Sequence, residues 1–380
     1  MPWKETSVES TRLNFIHAVN ERKCSFLELC QAFGISCKTG YKWLKRFNEE
    51  GVSGLTDKSR RPLTRPRDTH QDLESAIVAV RLRFPRWGPR KILAALSRDF
   101  PEADWPTKTT VANILRRNGY TTKQSRRLKL AATAPFEECN APNEVWSADF
   151  KGWWRTLNGQ ICQPFTVLDT DTRFLFYCGH SESTSIRHIK PVLEELFQEY
   201  GMPQRFRTDN GPPFASLSVG RLSRLAIWLI KLGITPEWIT PGKPQENGRH
   251  ERMHRTLKAE AARPPAENLQ EQERRLMKFQ HEYNFLRPHE ALGDKTPESL
   301  YSGSSRKWTG DLCYPIYPDE YDLRKVDHKG QVHWQGTRFF TSEMLHGETL
   351  GIKKTFGVIE VFFGPILLGR IDPIRGFQKV

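Results

Sequence analysis

The chain has 380 residues, a net charge of +14 and a hydrophobic fraction of 37%, a composition that supports packed cores and excludes an intrinsically disordered protein. It contains no apolar run of the about 18 residues needed to span a bilayer, and its first residues lack the apolar segment of a signal peptide, so we expect an intracellular protein. The 7 cysteines are scattered without a Cys-x-x-Cys pair, which argues against a disulfide framework and a zinc knuckle.

Positive charge is concentrated in the first third of the chain. Residues 1–130 contain 26 Lys and Arg against 13 Asp and Glu, whereas the rest of the chain is nearly neutral. A basic segment joined to a nearly neutral remainder predicts binding to a polyanion such as DNA. A solvated basic face without a partner is the alternative, but the helix-turn-helix pattern of the same segment favours DNA.

The chain begins with the pattern of a helix-turn-helix domain. Apolar spacing predicts helices over 8–23, 25–33 and 38–50, and Ser25 with Glu28 forms a capping box at the start of the second. A Gly-Ile-Ser turn separates the second helix from the basic third helix, which is the one expected to enter the major groove. A three-helix protein-interaction bundle is the alternative. The candidate DNA contacts of the third helix are Lys38, Thr39, Tyr41, Lys42, Lys45 and Arg46.

A basic, proline-containing segment leads from this domain to a second helical unit. Residues 57–71 have no apolar period, so we expect an extended linker that lies along a minor groove or the DNA backbone. Helices over 72–84, 88–99 and 107–118 then predict a second helix-turn-helix, with Thr107 as the N-cap of its last helix. Two such units in tandem would contact a longer DNA site than one. The candidate DNA contacts in both segments are Arg60, Arg61, Arg65, Arg67, Arg90, Lys91, Lys108, Thr109 and Thr110.

The periodicity then changes to that of a mixed α/β sheet. Three β-rich runs, at 145–154, 164–170 and 173–179, precede alternating helices and strands that include a helix over 219–232. Residues 321–380 are strand-like again and predict a small β-barrel. The predicted segments are a helix-turn-helix domain at 1–56, a linker at 57–71, a second helix-turn-helix domain at 72–130, a linker at 131–142, an α/β catalytic core at 143–305 and a β-barrel at 320–380.

Three acidic residues have local contexts that predict a metal site. Asp149 lies in a β-rich run, Asp209 follows a short strand at 205–208, and Glu251 lies in a predicted helix over 245–262. Carboxylates suit Mg²⁺, and two such ions about 3.5–4 Å apart stabilise the attacking and leaving oxygens of a phosphodiester displacement. A solvated strand end or a salt-bridged helix face is the alternative for any one acid. Three distinctive contexts together favour a metal site.

The predicted helix around Glu251 also carries candidate phosphate contacts. Asn247, Arg255 and Lys258 fall on the same helical face as Glu251, and Arg252 is its neighbour in the sequence. A carboxylate beside cations on one face suits a metal ion next to a phosphate. The alternative is that these cations pair with acidic residues of the same solvated helix.

At these motifs the chain closely resembles the retroviral-integrase-like DDE transposases of bacterial insertion sequences. The resemblance runs through Trp-Ser-Ala-Asp149-Phe, Thr-Asp209-Asn-Gly-Pro-Pro-Phe and Pro-Gln-Glu-Asn-Gly-Arg-His-Glu251-Arg, and it covers nearly the whole chain. It implies a ribonuclease H-like core in which the three acids hold two Mg²⁺ ions, with Mn²⁺ as a substitute. It also implies cleavage at the ends of a mobile element and joining of the 3′-OH to target DNA.

The same resemblance implies the partners and the cellular location. It implies double-stranded DNA of the element ends and of the target, a homo-oligomer assembled on DNA, no membrane, and a cytoplasmic location at the bacterial nucleoid. The main alternative function is a sequence-specific DNA-binding regulator with an inactive nuclease-like domain. A host nuclease of the ribonuclease H type is a third possibility, although it would not need the basic helix-turn-helix segment.

The spacing of the third acid departs from the family pattern. Many relatives place about 35 residues between the last two acids, whereas 41 residues separate Asp209 from Glu251 here. Spacing alone would point to Gln245, which cannot serve as an acid, and Glu246 is a nearby rival. The surrounding motif assigns the role to Glu251. The zinc-binding domain that precedes retroviral cores is absent from the sequence pattern, and the helix-turn-helix units stand in its place.

Overall fold

The computed structural model describes residues 7–58, 69–121, 139–372 and 375–379, with the backbone alone at 244 and 245. The chain forms two compact units, Met1–Thr69 and His70–Val380. No helix among the described residues is both long and apolar enough to cross a membrane. The predicted linker contacts Arg60, Arg61, Arg65 and Arg67 lie outside the described residues.

The first unit is the predicted bundle of three helices. They are α1 (Val8–Asn20), α2 (Phe26–Ala32) and α3 (Cys37–Glu50). The capping box starts α2 as predicted: the amide of Ser25 donates to Oε2 of Glu28 at 2.9 Å, and the amide of Glu28 donates to Oγ of Ser25 at 3.3 Å. Gly40 lets α3 approach α2 closely, because a Cβ there would lie 2.8 Å from Sγ of Cys30.

The second unit begins with another three-helix domain. Its helices are α4 (Gln71–Arg83), α5 (Pro89–Asp99) and α6 (Lys108–Arg117), and they enclose a small core around Ile77 and Ile92. The side chain of Thr107 caps α6 by accepting the amide of Thr110 at 3.4 Å, as predicted. The sequence thus predicts both helical domains to within one or two residues, apart from the last three residues of the predicted first helix.

A five-stranded mixed sheet forms the centre of the second unit. Its strands are β1 (Val145–Phe150), β4 (Pro164–Asp169), β5 (Leu175–His180), β6 (Arg205–Thr208) and β7 (Thr235–Trp238), while β2 (Trp154–Arg155) and β3 (Ile161–Cys162) form a separate small ladder. The sheet order is β5-β4-β1-β6-β7. The pairs β1–β4 and β4–β5 are antiparallel, whereas β1–β6 and β6–β7 are parallel. This mixed sheet is the core of the predicted ribonuclease H-like fold.

Helices cover both faces of this sheet. The helices are α7 (Ile186–Tyr200), α8 (Arg224–Lys231), α9 (Gly248–Glu260) and α10 (Leu269–His281). Aromatic residues of the sheet, such as Trp146 and Phe165, pack with α7 and α8 in one buried cluster. Leu168 and Leu175 pack with α9 and α10 in another. The second cluster holds α9 against the sheet.

Two predicted helices begin later than the sequence pattern indicates. The predicted helix over 219–232 is interrupted by Gly220, whose φ of 61° is left-handed, and α8 begins at Arg224. The predicted helix over 245–262 starts as a 3₁₀ turn at Pro244–Asn247, and regular α9 begins at Gly248. Both differences arise where a tight turn precedes the helix.

The C-terminal part consists of two open sheets. Strands β8 (Asp322–Lys325), β11 (Thr349–Thr355), β12 (Val358–Phe363), β13 (Ile366–Asp372) and β14 (Gly376–Lys379) form one sheet, and β9 (Gln331–Trp334) pairs with β10 (Thr337–Phe340). The sheet order is β14-β13-β12-β11-β8. The predicted closed barrel is not confirmed, because no strand ladder joins the two sheets among the described residues. Instead, apolar side chains of both sheets share one buried cluster with α8.

Candidate active site

The topology brings two of the predicted acids to one edge of the central sheet. Asp149 lies near the carboxyl end of β1, and Asp209 directly follows β6, its parallel neighbour. Parallel strands end at the same edge, so the two carboxylates approach each other there. The amide of Gly211 donates to Oδ1 of Asp209 at 3.1 Å and orients that side chain. Glu251 lies in the first turn of α9, which packs on this sheet.

The electrostatics of the site indicate crowded negative charge. Burial, and then the nearby charge of Asp209, raise the pKa of Asp149 to about 7, and Glu251 adds to the effect. Burial also raises the pKa of Asp209, against the hydrogen bond from Gly211. Carboxylates held close together out of water favour a bound cation, since its charge offsets both the burial and the repulsion. The donor set therefore fits a divalent metal ion.

The structure separates Glu251 from its rival, Glu246. Glu246 is buried, and its Oε2 accepts the amide of Thr240 at 2.6 Å, a contact that holds the loop before α9. Glu251 is exposed, and its charge acts on Asp149. This arrangement favours Glu251 as the third acid.

Beneath the carboxylates lies a buried polar cluster that the sequence analysis did not identify. His250 and His254 point from α9 onto the sheet, where Oγ1 of Thr166 lies 2.7 Å from Nε2 of His250 and 2.8 Å from Nε2 of His254. The Thr166 hydroxyl also donates to the backbone carbonyl of Asp149 at 2.9 Å. The other ring nitrogen of His250, Nδ1, is 2.9 Å from Oγ of Ser147. The sequence signal for this cluster is a pair of histidines four residues apart, His250 and His254, on one face of a predicted helix.

Hydrogen-bond accounting fixes the tautomers of the two histidines. A hydroxyl has one hydrogen and two acceptor sites, and the hydrogen of Thr166 is used on Asp149. Both imidazoles must therefore donate through Nε2, which leaves each Nδ1 without a hydrogen. Burial lowers the pKa of His250 to about 3 and also lowers the pKa of His254, so both rings are neutral.

His254 lies next to the carboxylate of Asp149. Its unprotonated Nδ1 lies 3.6 Å from Oδ2 of Asp149, so this contact is neither an ion pair nor a hydrogen bond. By distance alone, Asp149, His250 and His254 could surround a metal ion. However, both nitrogens of His250 already have hydrogen-bond partners, so His254 is the histidine with a lone pair available at the site.

The helix α3 presents most of its predicted DNA contacts to solvent. Lys38, Tyr41, Lys42 and Lys45 recur at helical spacing on its exposed face, and Tyr41 is 59% exposed. Thr39 and Arg46 are partly buried: Oγ1 of Thr39 is 2.9 Å from Oγ of Ser36, and Arg46 lies over the ring of Trp43. The exposed face is basic and continuous, as a major-groove helix requires.

The predicted DNA contacts of the second helical domain fall into two groups, those on α6 and those on α5. Lys108 and Thr109 are exposed in the first turn of α6, and Thr110 is partly buried beside them. Arg90 contacts the catalytic core instead, with Nε 2.8 Å from Oδ2 of Asp294. Lys91 is partly buried, and burial lowers its pKa to about 8. The prediction that Arg90 and Lys91 bind DNA is therefore disfavoured, because α5 is the helix that docks on the core.

The predicted phosphate contacts of α9 divide in the same way. Arg252, Arg255 and Lys258 are exposed. Asn247 is 6% exposed and belongs to the 3₁₀ turn before α9, so it does not share the exposed face of the helix. The prediction for Asn247 assumed a helix that began at residue 245, three residues before the start of α9.

Comparison with known families identifies the domains. Integrase core domain profiles match residues 140–244 and 232–297, a helix-turn-helix domain profile matches 11–62, and a homeodomain-like domain profile matches 39–115. The chain is 24% identical over 276 residues to the insertion element IS476 uncharacterized 39.2 kDa protein of Xanthomonas euvesicatoria, covering 71% of this chain and 76% of that protein. It is 26% identical over 242 residues to the insertion element IS407 uncharacterized 31.7 kDa protein of Burkholderia multivorans, covering 61% and 83%.

A solved structure is also similar in part. The magnesium complex of the HTLV-2 integrase catalytic core domain is 16% identical, with a TM-score of 0.34, over 43% of this chain and 98% of that one.

Proposed function

We propose a mechanism for this chain from the premise that it is an insertion-element transposase, with helix-turn-helix DNA-binding domains and an integrase core that uses divalent metal ions. In this mechanism the protein binds the terminal inverted repeats of its element and cleaves the DNA at their ends. It then joins the freed 3′-OH to target DNA. The observation that carries the proposal is the position of Asp149 and Asp209 at one edge of the central sheet, with α9, which carries Glu251, packed on the same sheet.

The three acids are proposed to hold two Mg²⁺ ions, for which Mn²⁺ would substitute. When bound, the ions would supply positive charge to the attacking and leaving oxygens of the phosphodiester. The chain's own contribution is to fix the ligands. Asp149 is held through its backbone by Thr166, Asp209 through its side chain by Gly211, and Glu251 by the packing of α9 on the sheet.

Binding and assembly complete the proposal. The exposed faces of α3 and α6 are proposed to read the element end, while Arg255 and Lys258 hold phosphates next to the scissile one. We also propose that the protein forms a homo-oligomer on DNA, because joining two ends to one target needs two active sites side by side.

The proposal is tested by neutralising each acid. In Asp149→Asn, Asp209→Asn and Glu251→Gln the amide keeps the shape but removes the charge that holds the metal. Each variant should lose strand cleavage and joining while its gel shift with the terminal repeat stays unchanged. Full activity of Glu251→Gln together with inactivity of Glu246→Gln would show that the third acid is misassigned. A wild-type protein that binds the repeat but never cleaves it with Mg²⁺ or Mn²⁺ would favour the regulator.

A further inference from the structure

The second helical domain is fixed to the catalytic core by specific contacts. Nη1 of Arg90 lies 2.7 Å from Oε1 of Glu290, in addition to the pairing of Arg90 with Asp294. The apolar side chain of Leu286, from the core, packs against the buried cluster of the helical domain. The two parts therefore present one continuous surface.

This docking leaves a groove between the α4–α5 turn and α9. The groove has a volume of about 620 Å³ and continues into a second cavity of about 390 Å³, with Arg86 and Ala259 lining both. Arg86 stands on the side of the helical domain, and Arg252, Arg255 and Thr256 stand on the side of α9. Both cavities lie within the second unit.

The arginines of the groove fall into two chemically different groups. Arg287 has a structural role, because its guanidinium donates hydrogen bonds to both carboxylate oxygens of Glu260 at 2.8–2.9 Å. Among the described residues, Arg86, Arg252 and Arg255 have no carboxylate within salt-bridge distance. Glu260 also lines the groove and its charge acts on Arg86, but Glu260 is salt-bridged to Arg287. Three guanidinium groups that line one concave space without a salt bridge of their own attract a polyanion.

The position of the groove relative to the metal site narrows the choice of polyanion. Arg255 lies one helical turn, about 5.4 Å, beyond Glu251 on α9, and Ala259 lies one turn further on. Arg255 therefore lies between the acid and the body of the groove. A strand whose phosphate occupies the metal site would reach the groove within a few nucleotides.

We propose that this groove binds the sugar–phosphate backbone of one DNA strand next to the scissile phosphate. The proposal rests on the proposed function, which supplies the DNA. Guanidinium groups bind phosphate oxygens in a bidentate manner. Arg86, on the side of the helical domain, and Arg252, on the side of α9, therefore bind the DNA backbone from opposite sides of the groove. Ala259 and Thr256 contribute small side chains to the same lining. The domain that docks on the core thus supplies one wall of the strand-binding site.

Site-directed cross-linking tests the location. The probe is a duplex with the terminal repeat of the element, carrying a thiol tether on one phosphate at a time. Ala259→Cys is combined with Glu251→Gln to prevent turnover, and the exposed Cys24 and Cys313 are replaced by serine. Arg274→Cys, on an exposed position of α10 outside the groove, is the matched control.

We expect Ala259→Cys to form a disulfide with tethers within a few nucleotides of the cleavage position on one strand, and Arg274→Cys to form little. Equal yields from both cysteines, or yields that do not depend on the position of the tether, would overturn the proposal. This experiment needs no catalysis, so it is separate from a cleavage assay on the wild type. If the wild type never cleaves the repeat, the proposed chemistry is refuted, whereas position-dependent cross-linking through Ala259→Cys still supports the groove assignment.

Salt dependence provides a second, independent measurement. Removing one phosphate contact makes the plot of log affinity against log salt concentration less steep by about one unit of slope. Arg86→Ala should show this loss on the terminal-repeat duplex, whereas Arg274→Ala should keep the wild-type slope. An unchanged slope for Arg86→Ala would show that the groove does not hold the backbone.

Discussion

Replacing Asp149 with asparagine should make the metal-free protein more stable at alkaline pH while abolishing its activity. The pKa of Asp149 is about 7 in the folded chain, against an ordinary value of 3.8, so its ionisation opposes folding. This difference corresponds to about 4 kcal/mol. Asparagine fills the same space and carries no charge, so the variant avoids this cost.

The sign of the pH dependence follows from the raised pKa. Asp149 contributes stability that is fully present below its unfolded pKa of 3.8 and is lost as the pH rises through about 7. The stability gap between variant and wild type should be small near pH 4 and reach its full size above about pH 7. For a unit of this size, a gap of about 4 kcal/mol corresponds to about 5–10 °C in Tm.

Thermal unfolding of both full-length proteins in a chelator, from pH 4 to 8.5, measures this gap. Asp169→Asn is the matched control, because buried Asp169 accepts hydrogen bonds from the amides of Asn143 and Thr172 and from the Thr172 hydroxyl. An amide cannot accept all three, so this control should lose stability even near pH 4, where Asp149→Asn should match the wild type. Added Mg²⁺ should raise the Tm of the wild type and leave Asp149→Asn unchanged. A Tm of Asp149→Asn at or below that of the wild type at pH 8.5 would refute the reasoning.

Two further predictions concern neighbouring residues. Thr166→Val should remove the shared acceptor of two buried imidazole N–H groups and lower the free energy of unfolding in urea by about 2–6 kcal/mol. Thr166→Ser keeps the hydroxyl and should lower it by about 1 kcal/mol for the lost methyl group. Equal losses in the two variants would show that the hydroxyl is not the acceptor. Lys258→Ala should slow joining by at least about tenfold with little change in Tm, since Lys258 is exposed; a wild-type joining rate would leave it a surface charge.

The sequence predicts the helical domains well, because their boundaries are set by local chemistry. Ser25 and Thr107 cap their helices through bonds to residues three positions away, so the signal lies within a few residues. The strands are predicted nearly as well, because buried strands of this sheet are short apolar runs. The three acids are predicted from motifs that each lie within a few neighbouring residues.

The remaining features depend on contacts between distant parts of the chain. Arg90 resembles a DNA contact in the sequence, but its partner Asp294 lies 204 residues away. The roles of His250 and His254 depend on Thr166, which comes from another strand. Local patterns carry no information about such partners.

The cluster around Thr166 also constrains how this protein can diverge. Its hydroxyl satisfies His250, His254 and the backbone of Asp149 together, and Ser147 satisfies the remaining nitrogen of His250. Any one replacement that removes a hydroxyl or an imidazole leaves a buried polar atom without a partner, so such a replacement requires compensating changes. In an alignment of many relatives, Ser147, Thr166, His250 and His254 should therefore covary as a set. This should hold even among relatives that bind terminal repeats of different sequence.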